Sequence, residues 1–270
     1  MEENKKPLNE EPQEEKKRNR ATVIILFLAG IILVIFGALK LGTYLYDLYE
    51  AKQELPSVVT EVQTEPSTQA LKENPIDFEA LFAENDEQYA WIKVPGTNVD
   101  YPICQSKTDD SFYLKHKASD KSYSNPGAIF TELCNSKDFS DRVTLIYGHN
   151  GYSDTMFASL HNFDKEEFFN EHEFFYIYTP HSIKTYEIIS VFKYDNRHIM
   201  NSFDFQDNGV FLDFLSMIKN PESTLKHTRD SFTKELTLDD RVVVLSTCVW
   251  KQDSNRFLVC GVLISDEKTY

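Results

Sequence analysis

Two apolar stretches near the C-terminus decide the fold: RVVVLST at residues 241–247 and RFLVCGVLI at residues 256–264. Each is short, rich in β-branched residues and bounded by polar residues, which is the pattern of a strand buried on both faces. A short polar loop, residues 251–255, lies between them. We therefore expect adjacent antiparallel strands, with Cys248 at the end of the first and Arg256 at the start of the second.

Weaker strand patterns precede this pair, at residues 91–94, 101–104, 127–133, 142–147, 173–179 and 184–194. In the last of them, large apolar side chains recur at period two and are expected on one face: Tyr186, Ile188, Phe192 and Tyr194. Helical patterns are few and mostly short, at residues 76–89, 156–160, 165–172 and 210–219. Many strands with few helices predict a mainly β fold with helices (α+β), built as a closed or nearly closed barrel. A parallel α/β sheet would need a helix between most strands.

An uncharged segment of 19 residues, ATVIILFLAGIILVIFGAL, occupies residues 21–39. As a helix it would be about 28 Å long, close to the ~30 Å hydrocarbon thickness of a bilayer. The alternative is a cleaved signal peptide, whose apolar core is usually shorter, about 7–15 residues, and ends at small residues. Bulky residues follow this segment, so we predict a retained transmembrane anchor at residues 21–43.

The charges that flank the anchor predict its orientation. Before it stand four basic residues, Lys16, Lys17, Arg18 and Arg20, and just after the uncharged segment stands Lys40. The positive-inside rule therefore places a short tail, residues 1–20, in the cytoplasm and the rest of the chain outside the cell. We predict an extracellular stalk at residues 44–74, with no aromatic residue from Glu50 onward, and one folded domain at residues 75–270.

The net charge of −15 argues against nucleic-acid binding, which needs a basic surface. The four cysteines are Cys104, Cys134, Cys248 and Cys260. Two disulfides are possible in an extracellular domain, but a domain of this size can build its own core without them. The cysteine spacings match no metal site, and neither CxxC nor HExxH occurs. We predict no metal and no cofactor.

Three residues could carry chemistry. Cys248 ends a buried strand, Arg256 opens the returning strand beside it, and His149 follows the strand at residues 142–147. A thiolate is a nucleophile, an imidazole can act as acid and base, and a guanidinium can stabilise an oxyanion. The residues alone leave plainer interpretations open. A single Cys at a strand end is more often a small buried hydrophobe, and a single His in a Gly-Asn turn is usually a surface residue.

A family resemblance changes that balance. LSTC at residues 245–248, followed by Arg256, resembles the sortase signature TLxTC with an arginine on the next strand. YGH at residues 147–149 resembles the segment that carries the family's catalytic histidine. Val244 stands where the signature usually has Thr. The resemblance covers about residues 75–265.

Other segments resemble class B sortases in particular. They are WIKVPGTNVDYPI at residues 91–103, DSFYL at 110–114 and GAIF at 127–130. The helical patterns at 76–89 and 210–219 match the class B N-terminal helix and the extra helix before the catalytic strand. The resemblance implies a closed barrel of about eight strands, preceded here by one transmembrane helix. Cys104, Cys134 and Cys260 match no family motif, and we expect them to be structural free thiols.

The implied reaction is transpeptidation outside the cell membrane. Cys248 would attack a C-terminal sorting signal of a secreted protein, NPxTx-like or (S/N/P)PxTG-like, and an amine of a peptidoglycan precursor would resolve the thioacyl-enzyme. Catalytic roles fall to His149, Cys248 and Arg256, with the backbone N–H of Val249 as a second oxyanion donor. Substrate contacts are expected from Asn98, Tyr147, Tyr194 and Ser246.

Two other functions remain open at this point. The chain could be a membrane-tethered binding or assembly module that needs no reactive cysteine. It could also be a cysteine peptidase that hydrolyses its substrate and transfers nothing. Selective alkylation of Cys248 separates the first alternative from an enzyme, and product analysis with an added amine separates the second.

Overall fold

The computed structural model describes residues 13–53, 72–151, 154–249 and 252–270. Its residues divide into two compact units, one ending at Tyr46 and the other beginning at Asp47. Helix α1 (Gln13–Gln53) contains the predicted apolar segment. Its stretch Ile24–Tyr49 is long and apolar enough to cross a membrane. Most of the predicted tail and stalk, residues 1–12 and 54–71, lies outside the described residues.

The described part of the second unit holds nine strands: β1 (Gln88–Lys93), β2 (Asp100–Cys104), β3 (Ile129–Thr131), β4 (Val143–Tyr147), β5 (Phe174–Thr179), β6 (Ser182–Asp195), β7 (Lys226–Thr228), β8 (Val242–Val249) and β9 (Gln252–Lys268). Its α-helices are α2 (Phe78–Glu84), α3 (Glu166–Glu171), α4 (Ile199–Ser202) and α5 (Asn208–Lys219). Two 3₁₀ segments, Phe112–Leu114 and Ala158–Asp164, complete the elements that matter for the site.

Eight of the strands close into a barrel in the order β5-β1-β2-β3-β4-β8-β9-β6, and the pairing of β5 with β6 completes the circle. Strand β7 attaches to β6 outside this circle. The pairs β2–β3 and β4–β8 are parallel, and the other pairs are antiparallel. The predicted mainly β barrel with an N-terminal helix and a helix before the catalytic strand is confirmed.

The continuous apolar runs of β8 and β9 have a simple cause, since both faces of these strands are buried. Val243 and Leu245 belong to one apolar cluster with residues from β1, β2, β5 and β6, which fills the barrel. Val242 and Val244 belong to a second cluster with the apolar stripe of α5. Burying a side chain of this size contributes about 1.5–3 kcal/mol to folding.

Helix α5 supplies that stripe because its apolar residues recur at helical spacing: Phe211, Phe214, Leu215 and Ile218 are all buried. Asp207 caps the helix, as its carboxylate accepts a hydrogen bond from the Val210 N–H at 3.0 Å. The helix therefore begins at Asn208, directly after its cap.

Three sequence predictions differ from the structure. The helix predicted over residues 76–89 ends at Glu84, because Asn85 is extended and its side-chain amide bonds the Tyr113 hydroxyl at 2.9 Å. Residues 88–89 instead open β1. The loop predicted at residues 251–255 is shorter, since β9 already begins at Gln252.

The third difference lies in β6. Its register with β9 shifts between Ile188 and Ser190, so an extra residue interrupts the period-two alternation. Tyr186 and Ile188 therefore face the barrel interior, whereas Phe192 and Tyr194 join the cluster on the α5 side.

Candidate active site

The β8–β9 pair brings Cys248 and Arg256 together. Cys248 lies directly opposite Arg256 in the antiparallel register, and the register shifts immediately afterwards, so that Val249 is paired with Gln252. Such an irregularity re-aims the residues beside it. Cys248 lies one residue before the end of β8 and is half-buried, so the thiol sits on the barrel wall and is still accessible.

Strand β4 brings His149 to the same edge. It runs parallel to β8, with Tyr147 paired to Ser246, and the Gly148 N–H donates to the Ser246 carbonyl at 3.2 Å. The ends of parallel neighbours meet at one edge of a sheet. His149, two residues beyond Tyr147, therefore arrives beside Cys248, two residues beyond Ser246.

A cavity of about 410 Å³ contains five of the eight predicted site residues: Tyr147, His149, Ser246, Cys248 and Arg256. Ser246 and Cys248 lie on the same face of β8, as the alternation predicts. The cavity is also lined by Leu114 and Phe130, which give it an apolar wall. An extended, partly apolar peptide could lie in such a cavity with its backbone beside the thiol.

The His149 ring is held by a backbone contact. Its Nε2 lies 2.8 Å from the Leu114 carbonyl oxygen, at the end of the 3₁₀ segment Phe112–Leu114. A carbonyl can only accept, so Nε2 carries a proton in this contact. In the neutral ring, Nδ1 then keeps the lone pair and is the nitrogen that can exchange a proton.

Tyr147 forms a further wall of the cavity. Its ring stacks on Phe130 with centroids 5.3 Å apart. Burial, with the negative charge of Glu132 next in size, raises the pKa of Tyr147 well above its ordinary value. The phenol therefore stays neutral, and its hydroxyl oxygen is buried in the cavity wall.

The other cysteines differ from Cys248. Cys104 and Cys260 are fully buried, whereas Cys134 is exposed. Burial raises the pKa of the Cys260 thiol to about 12. Burial and the neighbouring Glu132 carboxylate raise the pKa of Cys134 to about 11. All four cysteines are free thiols in the structure.

Three predicted residues lie outside the cavity lining. The Asn98 side chain donates to the Asp154 carbonyl at 3.2 Å, and its backbone N–H donates to Ser159 Oγ at 3.1 Å. Tyr194 is paired with Arg256 across β6 and β9, but its side chain lines a separate depression beside α5. Val249 follows Cys248 on β8, and its role depends on its backbone.

The cavity wall also holds a hydrogen bond between a histidine and a carboxylate that the sequence did not suggest. His198 Nε2 lies 2.7 Å from Glu132 Oε1, and Asp110, near the same wall, accepts the Leu133 N–H at 2.6 Å. His198 and Glu132 are 66 positions apart, and no local pattern marks either residue. Within the described ranges, no three His, Cys, Asp or Glu side chains are grouped to hold a metal ion.

Comparison with known proteins identifies this arrangement. The sortase domain family model matches residues 92–264, which is more than half of the chain. The chain belongs to the sortase family. Sortase B from Listeria monocytogenes is 28% identical over 183 residues, 67% of this chain and 71% of that protein.

Solved structures agree on the class. The X-ray structure of Clostridium perfringens sortase B has a TM-score of 0.62 and 30% identity, covering 70% of this chain and 100% of that one. A Staphylococcus aureus sortase B–substrate complex has a TM-score of 0.61 and 26% identity, covering 70% and 84%. The chain is therefore a class B sortase, a cysteine transpeptidase.

Proposed function

We propose that this sortase cleaves a sorting signal near the C-terminus of secreted proteins and joins the new carboxyl end to an amine of a peptidoglycan precursor. The observation that carries the proposal is the pairing of Cys248 with Arg256 across β8 and β9, with His149 lining the same cavity. A nucleophile, a proton carrier and a fixed cation around one cavity suit acyl transfer.

In the first half-reaction, the thiol proton of Cys248 passes to His149, the Sγ thiolate attacks the scissile carbonyl carbon, and a C–S bond forms. The C–N bond breaks, and His149 gives a proton to the leaving amine. The product is a thioester between Cys248 and the secreted protein. The Nδ1 of His149 performs this transfer, since Nε2 is bonded to the Leu114 carbonyl.

In the second half-reaction, the acceptor amine attacks the thioester carbon. A new C–N bond forms, the C–S bond breaks, and His149 takes the proton that the amine loses. Both tetrahedral intermediates carry an oxyanion. Arg256 and the Val249 N–H are its proposed donors, because a guanidinium keeps its charge at any working pH and donates up to five hydrogen bonds.

The sorting signal is proposed to be NPxTx-like or (S/N/P)PxTG-like. Tyr147 and Ser246 line the cavity and are proposed to contact it directly. Asn98 and Tyr194, outside the lining, are proposed to contact more distant parts of the substrate. A substrate complex has been solved for the Staphylococcus aureus sortase B, which has the same fold.

The proposed location follows from α1. This helix anchors the chain in the cell membrane by one pass, with residues 1–20 in the cytoplasm and residues 75–270 outside. The membrane stretch is residues 21–43, and residues 44–74 form the stalk. Secreted proteins and wall precursors meet on that side of the membrane.

A peptide-library assay tests the proposal. The protein is incubated with peptides carrying each signal type, with and without an added amine, and products are read by mass spectrometry. We expect a thioester adduct on Cys248 and an amine-dependent ligation product. Cys248→Ala should abolish both while the fold survives. Hydrolysis products that ignore the amine would instead support a peptidase.

A further inference from the structure

The carbonyl oxygen of the nucleophile receives two side-chain contacts that the proposed reaction does not use. Asn150 Nδ2 donates to the Cys248 carbonyl at 3.0 Å, and His161 Nε2 lies 3.1 Å from the same oxygen. Neither Asn150 nor His161 lines the substrate cavity. Both side chains contact the backbone of Cys248, and neither contacts its thiol.

His161 lies in the 3₁₀ segment Ala158–Asp164 and is mostly buried. Its Nδ1 is 3.5 Å from Asp164 Oδ2, and its ring lies against Phe257 on β9 with centroids 4.7 Å apart. Four groups thus face the ring from four parts of the fold: Asp164, Phe257, Asn150 and the Cys248 carbonyl. Of these, the Asp164 carboxylate is the charged one.

The two nitrogens of His161 both face acceptors, a carboxylate at Nδ1 and a carbonyl at Nε2. Only the imidazolium can donate to both. Burial by itself lowers the pKa of His161, but the hydrogen bonds to Asp164 and the Cys248 carbonyl, with the charge of Asp164, raise it above the ordinary value.

Asn150 makes the arrangement bistable. Its Nδ2 also lies 3.4 Å from His161 Nε2. When His161 is charged, both side chains donate to the Cys248 carbonyl. When His161 is neutral and keeps its proton on Nδ1, Nε2 becomes an acceptor for Asn150. The Cys248 carbonyl then loses His161 as a donor and shares Asn150 Nδ2 with His161 Nε2.

The same segment carries His149. Asn150 follows His149 directly and pairs with Met156, and the Phe157 N–H donates to the His149 carbonyl at 3.0 Å. The contacts of Asn150 and His161 therefore tie the chain that presents His149 to the strand that presents Cys248.

We propose that His161, acting together with Asn150, is a positioning residue that orients the Cys248–Val249 peptide for oxyanion stabilisation. The inference rests on the proposed function. In a trans peptide the C=O and N–H point in opposite directions, so donors that fix the Cys248 oxygen also fix the Val249 N–H. Donors to the oxygen polarise the amide and strengthen the N–H as a donor. The register shift of β8 falls at this peptide, where the ladder alone constrains it least.

Two variants of the full-length protein test the assignment. His161→Leu removes the donor, and His161→Gln replaces it with a neutral one. His172→Leu is the matched control, since His172 also bonds a backbone carbonyl, that of Phe168 at 2.9 Å, and stacks on a phenylalanine ring away from the cavity. For each, one measures kcat/KM for thioacyl formation and the alkylation rate of Cys248 by iodoacetamide, which needs no oxyanion donor.

We expect His161→Leu to lower kcat/KM about 10- to 100-fold, less than or comparable with loss of one oxyanion donor. Alkylation should stay within about threefold, and His172→Leu should match the wild type. The wild-type to His161→Gln ratio of kcat/KM should exceed one at pH 6 and fall towards one by pH 9, as His161 loses its charge. A purely structural role gives a ratio independent of pH.

Three results would overturn the assignment. His161→Leu could keep the wild-type kcat/KM, or it could lose thioacyl formation and Cys248 alkylation to the same extent. The third is a wild-type to His161→Gln ratio of kcat/KM that does not change with pH. The His161→Gln ratio decides the matter even if His161→Leu does not fold. The wild-type protein separates the two proposals. If the wild-type protein forms no thioester, the proposed function fails and the inference with it. If it forms the thioester and the variants match it, only the role of His161 is overturned.

Discussion

Cys248 on β8 lies directly opposite Arg256 on β9, so strand pairing sets the spacing between the backbones that carry the thiol and the guanidinium. Both strands are buried on both faces along most of their length, and side chains on such elements are held more firmly than side chains on loops. The Arg256 backbone is therefore fixed opposite Cys248 before substrate arrives, and its Nη1 donates to the Asn255 carbonyl at 3.1 Å. Preorganised charge contributes most to a transition state that develops an oxyanion.

Arg256→Lys should lower kcat for transpeptidation about 100- to 1,000-fold, the usual cost of removing one oxyanion donor. An ammonium keeps the charge but cannot reproduce the planar set of N–H donors. Steady-state kinetics with a fixed signal peptide and acceptor amine measure the loss.

The matched control is Arg197→Lys. Arg197 is exposed, pairs with Asp195 at 2.6 Å and lies outside the cavity lining. Its replacement should leave kcat within about twofold, since exposed ion pairs contribute little. Near-normal activity of Arg256→Lys would contradict the oxyanion role.

Thiol labelling at pH 7.5 should modify Cys248 first. Cys134 is exposed, but its pKa of about 11 leaves roughly one thiolate in three thousand at that pH. Cys104 and Cys260 are shielded by burial. Peptide mass spectrometry after timed iodoacetamide exposure gives each rate. Labelling of Cys134 should accelerate steeply up to about pH 11, and faster labelling of Cys104 than of Cys248 would contradict the nucleophile assignment.

Gly148→Ala should reduce both stability and activity. A Cβ at this position would lie 2.5 Å from the Phe157 ring and 2.6 Å from Ile129 Cδ1, so the neighbouring His149 must move. Overpacking of this kind costs about 1–3 kcal/mol. Gly209→Ala, in the first turn of α5, is the control: its Cβ would lie 3.2 Å from Asp207 Oδ1 at the end of a side chain, so stability should change by less than about 1 kcal/mol in either direction. Urea unfolding measures stability, and kcat/KM measures activity. Equal stability and activity of Gly148→Ala and Gly209→Ala would contradict the prediction.

Much of this site was predictable from local patterns. Two apolar strands with a short connection predict the hairpin, and the separation of eight positions from Cys248 to Arg256 then places them side by side. His149 was predicted from its family resemblance, because a histidine after a strand has several structural explanations.

The remaining features depend on contacts between distant segments. Glu132 and His198 meet across 66 positions, and His161 reaches the Cys248 carbonyl across 87. Neither pair has a periodicity that a single sequence could display. The extra residue in β6 also leaves no pattern in the sequence. The period-two alternation therefore predicted Tyr186 and Tyr194 on one face, which is wrong.

The Asp240 carboxylate, buried just before β8, makes a pH-dependent contribution to stability. It accepts hydrogen bonds from the Lys234 ammonium and, at 2.7 Å, from the Thr237 N–H. Burial alone would raise the pKa of Asp240, but Lys234 and Thr237 outweigh it and hold the pKa below the ordinary value. A carboxyl whose pKa is lower in the folded state stabilises the fold above its unfolded pKa, and that stabilisation is lost as pH falls through the folded pKa.

Asp240→Asn should therefore lower the free energy of unfolding by about 1–3 kcal/mol between pH 5 and 8, and the difference in this free energy from the wild type should narrow below about pH 4. Asp239→Asn, at the exposed neighbouring position, should change stability by less than about 0.5 kcal/mol at any pH. Urea unfolding at a series of pH values measures all three proteins, and a gap that stays constant down to pH 3 would show that the Asp240 charge does not stabilise the fold.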